Sequence, residues 1–171
     1  MSVIAPLATI AVGVVVERSK SVTKWTDYYW RPVSVLAGAP DTQAWTKLAD
    51  EGDRVTFYAG PSLIELYRTE TPYYRANLES GSPALWVALR ATEGDPPYSV
   101  AAVTADPAEG EALTETATDL IEQVPMPEPI RKILADFVAE HHVEAPFVKR
   151  KRDRADPEAM APHKPVKKGR K

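Results

Sequence analysis

The chain has 171 residues, 44% of them hydrophobic, with sixteen prolines, four tryptophans, no cysteine and a formal net charge of −3. That length supports one domain with a proper core, and the prolines favour short elements broken by turns. The lack of cysteine excludes disulfides, thiolate zinc sites, Cys-ligated iron–sulfur clusters and a Cys nucleophile.

The elements follow in chain order. Residues 3–16 are almost wholly apolar or small. No Lys or Arg precedes them and no small-x-small cleavage site follows, so they read as a buried strand and not a signal peptide. About fourteen residues are also too few to cross a bilayer. Ile10, Val12, Val14 and Val16 share one face at period two. Residues 28–36 form a second strand, where Pro32 calls for an edge position or a bulge. Trp45 and Leu48 suggest a short helical turn, and Glu51-Gly52-Asp53 a hairpin turn. Val55, Phe57 and Ala59 alternate, then Ile64 and Leu66 after the Gly60-Pro61 break, which together predict a β-hairpin.

Residues 71–78 are a turn or short helix, with Pro72 suited to the first turn. Leu85, Val87 and Leu89 give a strand, and residues 100–104 are its hairpin partner. Asp106-Pro107-Ala108-Glu109 starts a helix by N-cap acid, Pro and Glu at N3, with an end near Thr116. Residues 120–124 are a last strand. Ile130, Ile133, Leu134, Phe137, Val138 and His141 then form a helical stripe expected to pack across the sheet, ended by Pro146. The prediction is an α+β domain over residues 1–148, mainly an antiparallel sheet of six or seven strands with a C-terminal amphipathic helix.

Residues 149–171 differ in kind. They carry ten Lys/Arg against three Asp/Glu, a net of +7, while residues 1–148 carry eleven against twenty-one, a net of −10. No apolar periodicity continues there, so this basic tail is expected to be disordered in isolation. Its clusters, Lys149-Arg150-Lys151-Arg152-Asp153-Arg154 and Lys167-Lys168-Gly169-Arg170-Lys171, suit docking on an acidic partner, because Arg forks pair with carboxylates. A nucleic-acid arm is the alternative, although the tail has no aromatic residue to stack on bases. A solubilising tail is the plain reading.

Other constellations have plain readings too. His141 and His142 point about 100° apart on a helix, so they do not make a ligand pair, and His141 completes the apolar stripe. Trp25, Tyr28, Tyr29 and Trp30 with Arg31 form an aromatic group, split between core and surface by strand alternation. Glu65, Arg68, Glu70, Arg75, Asn77 and Glu79 read as an ion-paired surface. A pocket near Trp30 and Arg68 is a third option for a small-molecule sensor or enzyme. There is no nucleophile elbow, phosphate loop or Gly-x-Gly-x-x-Gly, and no catalytic residue, metal or cofactor is expected.

Trp30-Arg31-Pro32-Val33, residues 66–71 (LYRTET), Asn77-Leu78-Glu79-Ser80 and above all HHVEAPFVKRKRDR at residues 141–154 resemble an uncharacterised proteobacterial family of unknown function. Genes of that family tend to lie in formate dehydrogenase and other molybdoenzyme clusters. The resemblance implies a context and no activity: an accessory role, as an assembly or maturation factor or a small subunit of a molybdenum- or tungsten-dependent formate dehydrogenase. The expected partner is then a molybdoenzyme subunit or maturation factor, in the cytoplasm, without membrane insertion. The expected contact residues are Phe147 as apolar anchor, Lys149, Arg150, Lys151, Arg152 and Arg154 in the tail, and Trp30 and Arg31 on the body. A regulatory nucleic-acid-binding module stays as the alternative.

Overall fold

The computed structural model describes residues 3–144. Seven strands form two antiparallel sheets, and three α-helices complete an α+β fold. The first sheet has the order β2(Tyr28–Ala37), β1(Ala8–Lys20), β4(Arg54–Leu66), β3(Thr46–Asp50). The second has the order β6(Tyr98–Thr104), β5(Ala84–Ala91), β7(Asp119–Pro125). The sheets meet along two seams, β4 beside β6 and β2 beside β7. Between them lies one apolar core, in which Ile10, Val12, Val14 and Val16 meet Ile64, Leu66, Leu85, Val87, Leu89 and Val124. The period-two pattern of β1 therefore points inward, as the sequence indicates.

Bulges bend the long strands. Between Val15 and Val16 of β1 the partner jumps from Ser34 to Pro32, so Val33 is the extra residue beside the proline. β2 is thus both an edge strand and a bulged one, which satisfies both constraints on Pro32. On the other side, Val14 pairs with Gly60 and Val15 with Tyr58, leaving Ala59 extra. Gly60 has φ +139°, a backbone open to glycine.

That bulge overturns the hairpin expected at Gly60-Pro61. β4 is one continuous strand of 13 residues through both halves. Pro61 is tolerated because pairing with β3 stops at Tyr58, so its missing N–H breaks no ladder on that side. The hairpin lies earlier, between β3 and β4 across Glu51-Gly52-Asp53. The helical turn expected at Trp45 and Leu48 is also absent: Leu48 lies in β3, and Trp45 takes φ +66° with its N–H bonded to the Tyr58 carbonyl. Strand pairing outweighs local spacing there. The first strand begins later than residues 3–16 suggest and runs on to Lys20: its neighbour β4 ends at Leu66 opposite Ala8, and Val3 and Ile4 are exposed.

The helices α1(Thr71–Leu78), α2(Pro107–Glu115) and α3(Glu128–His141) cover the sheets. α2 starts as expected, with Asp106 Oδ1 accepting from the N–H groups of Ala108 at 2.8 Å and Glu109 at 3.4 Å. α2 covers the outer face of β5, with Gly110 against the Trp86 ring. α3 sends Ile130, Leu134, Phe137 and Val138 into the common core, but Ile133 of the expected stripe is half-exposed. Its neighbour is α1 as well as the sheet, through the Tyr74–Phe137 edge contact at 6.1 Å. α3 ends at His141, five residues before Pro146, which lies outside the described residues.

Candidate functional site

Two ends of the domain carry chemistry. At the helical end, β4 runs through a short 3-10 turn (Arg68–Glu70) into α1, while β6 runs through Ala105 and Asp106 into α2. Each helix thus begins beside an acid: Glu70 precedes α1 and Asp106 caps α2. An open cavity of about 490 Å³ lies between them. Tyr67, Glu70, Tyr73, Asp106 and Glu109 line it together with Ile4, and among the described residues no Lys or Arg does.

The carboxylates are individually held. Thr104 Oγ1 donates to Glu109 Oε2 at 2.6 Å and accepts the Asp106 N–H at 3.1 Å. This closes the capping box through a threonine bridge. Burial pushes the Asp106 carboxyl up, and the Glu70 carboxylate beside it adds to the rise; the two helix N–H groups act against it. Tyr67 donates to Glu65 Oε2 at 2.7 Å, which raises its own hydroxyl. Tyr74 accepts the Tyr67 N–H at 3.1 Å, and burial pushes its hydroxyl up to about 12. The cleft can hold a proton at Asp106 and attract a cation. No group of three or more His, Cys, Asp or Glu positioned for a metal ion occurs among the described residues.

At the opposite end, aromatic rings enclose an arginine. Trp30 stacks on Phe57 at 5.8 Å and 28°, meets Trp45 edge-on at 5.8 Å, and approaches Tyr98 at 6.3 Å. The Arg18 guanidinium lies 4.4 Å from the Tyr28 ring centroid and 5.4 Å from that of Phe57. Its Nε is buried without a hydrogen-bond partner among the described residues, and ring faces supply contacts to this cation. On the other face of the sheet, Glu17 pairs with Arg31 at 3.3 Å and Arg54 at 3.5 Å.

The expected contact residues are therefore divided. Trp30 packs inward and Arg31 points to the opposite face. Phe147, Lys149, Arg150, Lys151, Arg152 and Arg154 lie outside the described residues. The described chain stops beside α1: His142 Nδ1 is 3.1 Å from Thr71 Oγ1, and Arg75 donates to Glu144 at 2.8 Å. His141 packs against Phe137 with ring centroids 4.6 Å apart and planes tilted by 51°, as its place in the stripe predicts. The pocket suggested for Trp30 and Arg68 does not form. Trp30 sits opposite Arg18 and Leu66 opposite Ala8, so Trp30 and Arg68 lie about 30 Å apart along β1. Of the presumed surface group, Asn77 is instead buried. It bonds the Ala84 carbonyl at 2.8 Å, the Ala105 carbonyl at 2.9 Å and the Ala84 N–H at 3.0 Å.

A protein-family model described as "Protein of unknown function (DUF3305)" matches residues 11–151. The chain belongs to this family. No curated protein and no solved structure matches it. The DUF3305 match takes in β1 from Ala11 onward, the other six strands and the three α-helices of the described residues, and it ends inside the first basic cluster, at Lys151. The cleft of Glu70, Asp106 and Glu109 and the Arg18 cage both fall within it.

Proposed function

We propose that this DUF3305 protein is a non-catalytic accessory protein that docks on a larger enzyme through its basic C-terminal segment. The observation that carries this reading is the reversal of charge, from −10 over residues 1–148 to +7 over residues 149–171. A body of that sign repels polyanions and acidic proteins, while the segment attracts them. Arg150, Arg152 and Arg154 fit bidentate pairing with partner carboxylates, and Phe147 offers an apolar anchor between body and cations. The choice of enzyme, a molybdenum- or tungsten-dependent formate dehydrogenase, rests on the gene-cluster association of the resembling family. Without cysteine the chain has no thiolate to offer an iron–sulfur cluster or molybdenum, so its contribution to such an enzyme is binding.

The test is affinity purification of the tagged protein from its native host, as the full chain and with Arg150, Arg152 and Arg154 changed to Glu. Mass spectrometry should find a molybdoenzyme subunit or maturation factor with the natural chain and lose it with the variant. Equal recovery from both would defeat the docking reading. Recovery of nucleic acid alone, released by salt, would favour the polyanion alternative, since phosphate neutralisation makes affinity steeply salt-dependent.

A further inference from the structure

The turn between β1 and β2 presents Val22 and Trp25, which are 97% and 92% exposed. Tyr28 and Tyr29, both about half-exposed, stand at its base. Single exposed apolar residues are ordinary; two that are almost fully exposed on one seven-residue turn, residues 21–27, are not. The turn is also pinned. Ser21 donates its N–H to the Asp27 carbonyl at 3.0 Å, and its Oγ accepts from the Thr23 N–H at 3.1 Å and from Thr26 Oγ1 at 3.3 Å. The Lys20 N–H bonds the Asp53 carbonyl at 2.8 Å, which ties the tip to the β3–β4 turn. A turn whose backbone is ordered before contact loses little further freedom on binding, which is the economy of a preformed hot spot.

The charge around the tip selects its partner. Residues 17–54 carry six Lys/Arg and six Asp/Glu, whereas residues 55–144 carry five against fifteen. The body's negative charge is therefore concentrated away from the hairpin. Lys20 precedes the exposed pair, Lys24 stands between its members, and Asp27 closes the turn. Beside the tip's base, however, Asp50, Glu51 and Asp53 occupy the β3–β4 turn. A flat anionic surface such as a bilayer would meet those carboxylates together with the lysines. A concave protein site fitted to the turn itself would meet a net charge of +1, from Lys20 and Lys24 against Asp27.

We propose that the β1–β2 tip is a protein-docking knob: Val22 and Trp25 enter an apolar pocket on a partner protein whose rim carries carboxylates for Lys20 and Lys24. This goes beyond the basic-segment reading and does not depend on it.

The test places the photo-crosslinking residue p-benzoylphenylalanine at position 22 or 25 of the full chain in its native host, with position 133 on α3, also half-exposed, as control. Positions 22 and 25 should give one discrete adduct with the same protein, absent from position 133 and lost when Lys20→Glu and Lys24→Glu are added. The purified partner should then bind the Trp25→Ala chain at least tenfold more weakly than the natural chain, at an unchanged thermal melt. Adducts no stronger than at position 133, adducts indifferent to lysine reversal, or binding of Trp25→Ala within twofold would each overturn the proposal. So would a blue shift of Trp25 emission on phosphatidylglycerol vesicles, which would assign the tip to lipid. Repeating the crosslink with Arg150, Arg152 and Arg154 changed to Glu separates the two readings: an adduct that persists there leaves the knob standing even if the segment docks on nothing.

Discussion

Replacing Gly110 by Ala sets two rules against each other. In a helix interior, Gly→Ala ordinarily stabilises by about 1 kcal/mol. Here a Cβ at position 110 would stand 2.5 Å from both Cδ1 and Cδ2 of Trp86, and closer still to Cγ. Carbon atoms rest about 3.5–4.0 Å apart, so the indole or α2 must yield by roughly an ångström. Trp86 is buried on the central strand β5, flanked by β6 and β7, and α2 is held at its start by Asp106. Neither moves freely. Overpacking of this kind costs about 1–3 kcal/mol, and contact with three ring atoms at once argues for the upper end. The net expectation is a loss of about 2 kcal/mol. In urea, with a slope of about 2 kcal/mol/M, the midpoint should fall by about 1 M at constant slope. The same Gly110→Ala change in a Trp86→Leu background, where the ring is gone, should raise the midpoint. A Gly110→Ala protein with its natural Trp86 and an unchanged or higher midpoint would refute the packing argument.

Two further outcomes probe the helical end. Asn77→Ala strips partners from one N–H and two carbonyls inside the domain and should cost about 3 kcal/mol; Asn77→Asp should be no better, since a carboxylate cannot donate to the Ala84 and Ala105 carbonyls, and urea melts of both variants decide it. Asp106 has a folded-state pKa raised by burial and by Glu70, so the native state holds its proton more tightly than the unfolded chain, and stability should fall as pH rises through the window just above the ordinary Asp value. Asp106→Asn keeps the cap and should flatten that slope, whereas Asp106→Ala should lose about 1 kcal/mol of capping at every pH; midpoints measured from pH 4 to 7.5 that fall equally steeply for the Asn variant and the natural chain would contradict the assignment.

What the sequence made legible was local. Period-two runs such as Ile10, Val12, Val14 and Val16 announced strands because one face of each is buried. Asp106-Pro107 announced a helix start because capping acts over three residues. The errors at β3 and β4 have one cause. A strand's continuity through Gly60-Pro61 depends on which neighbour needs the proline's absent N–H, and that is settled by β1 and β3, residues remote in sequence. The acidic cleft was missed for the same reason. Glu70 and Asp106 stand 36 positions apart, and each looked sufficient as a cap or a surface charge. The repeated signal, an acid one or two positions before a proline at each helix start, became informative only once the fold placed the two starts side by side.

Asn77 shows how the cleft and the core depend on each other. Its amide joins α1 to the first residue of β5 and to Ala105, the residue before Asp106. One buried side chain thus ties the last turn of α1 to the start of β5 and to the residue before the α2 cap. The cleft is a product of the scaffold, held on element ends and not on a long loop. The hairpin tip is the reverse case: among the described residues Val22 and Trp25 stay exposed, on a turn whose backbone a local network holds. Folding alone accounts for the first arrangement. It gives no reason for the second, since exposing an indole on an ordered turn adds nothing to the core, and this asymmetry is the physical ground for seeking a partner at the tip.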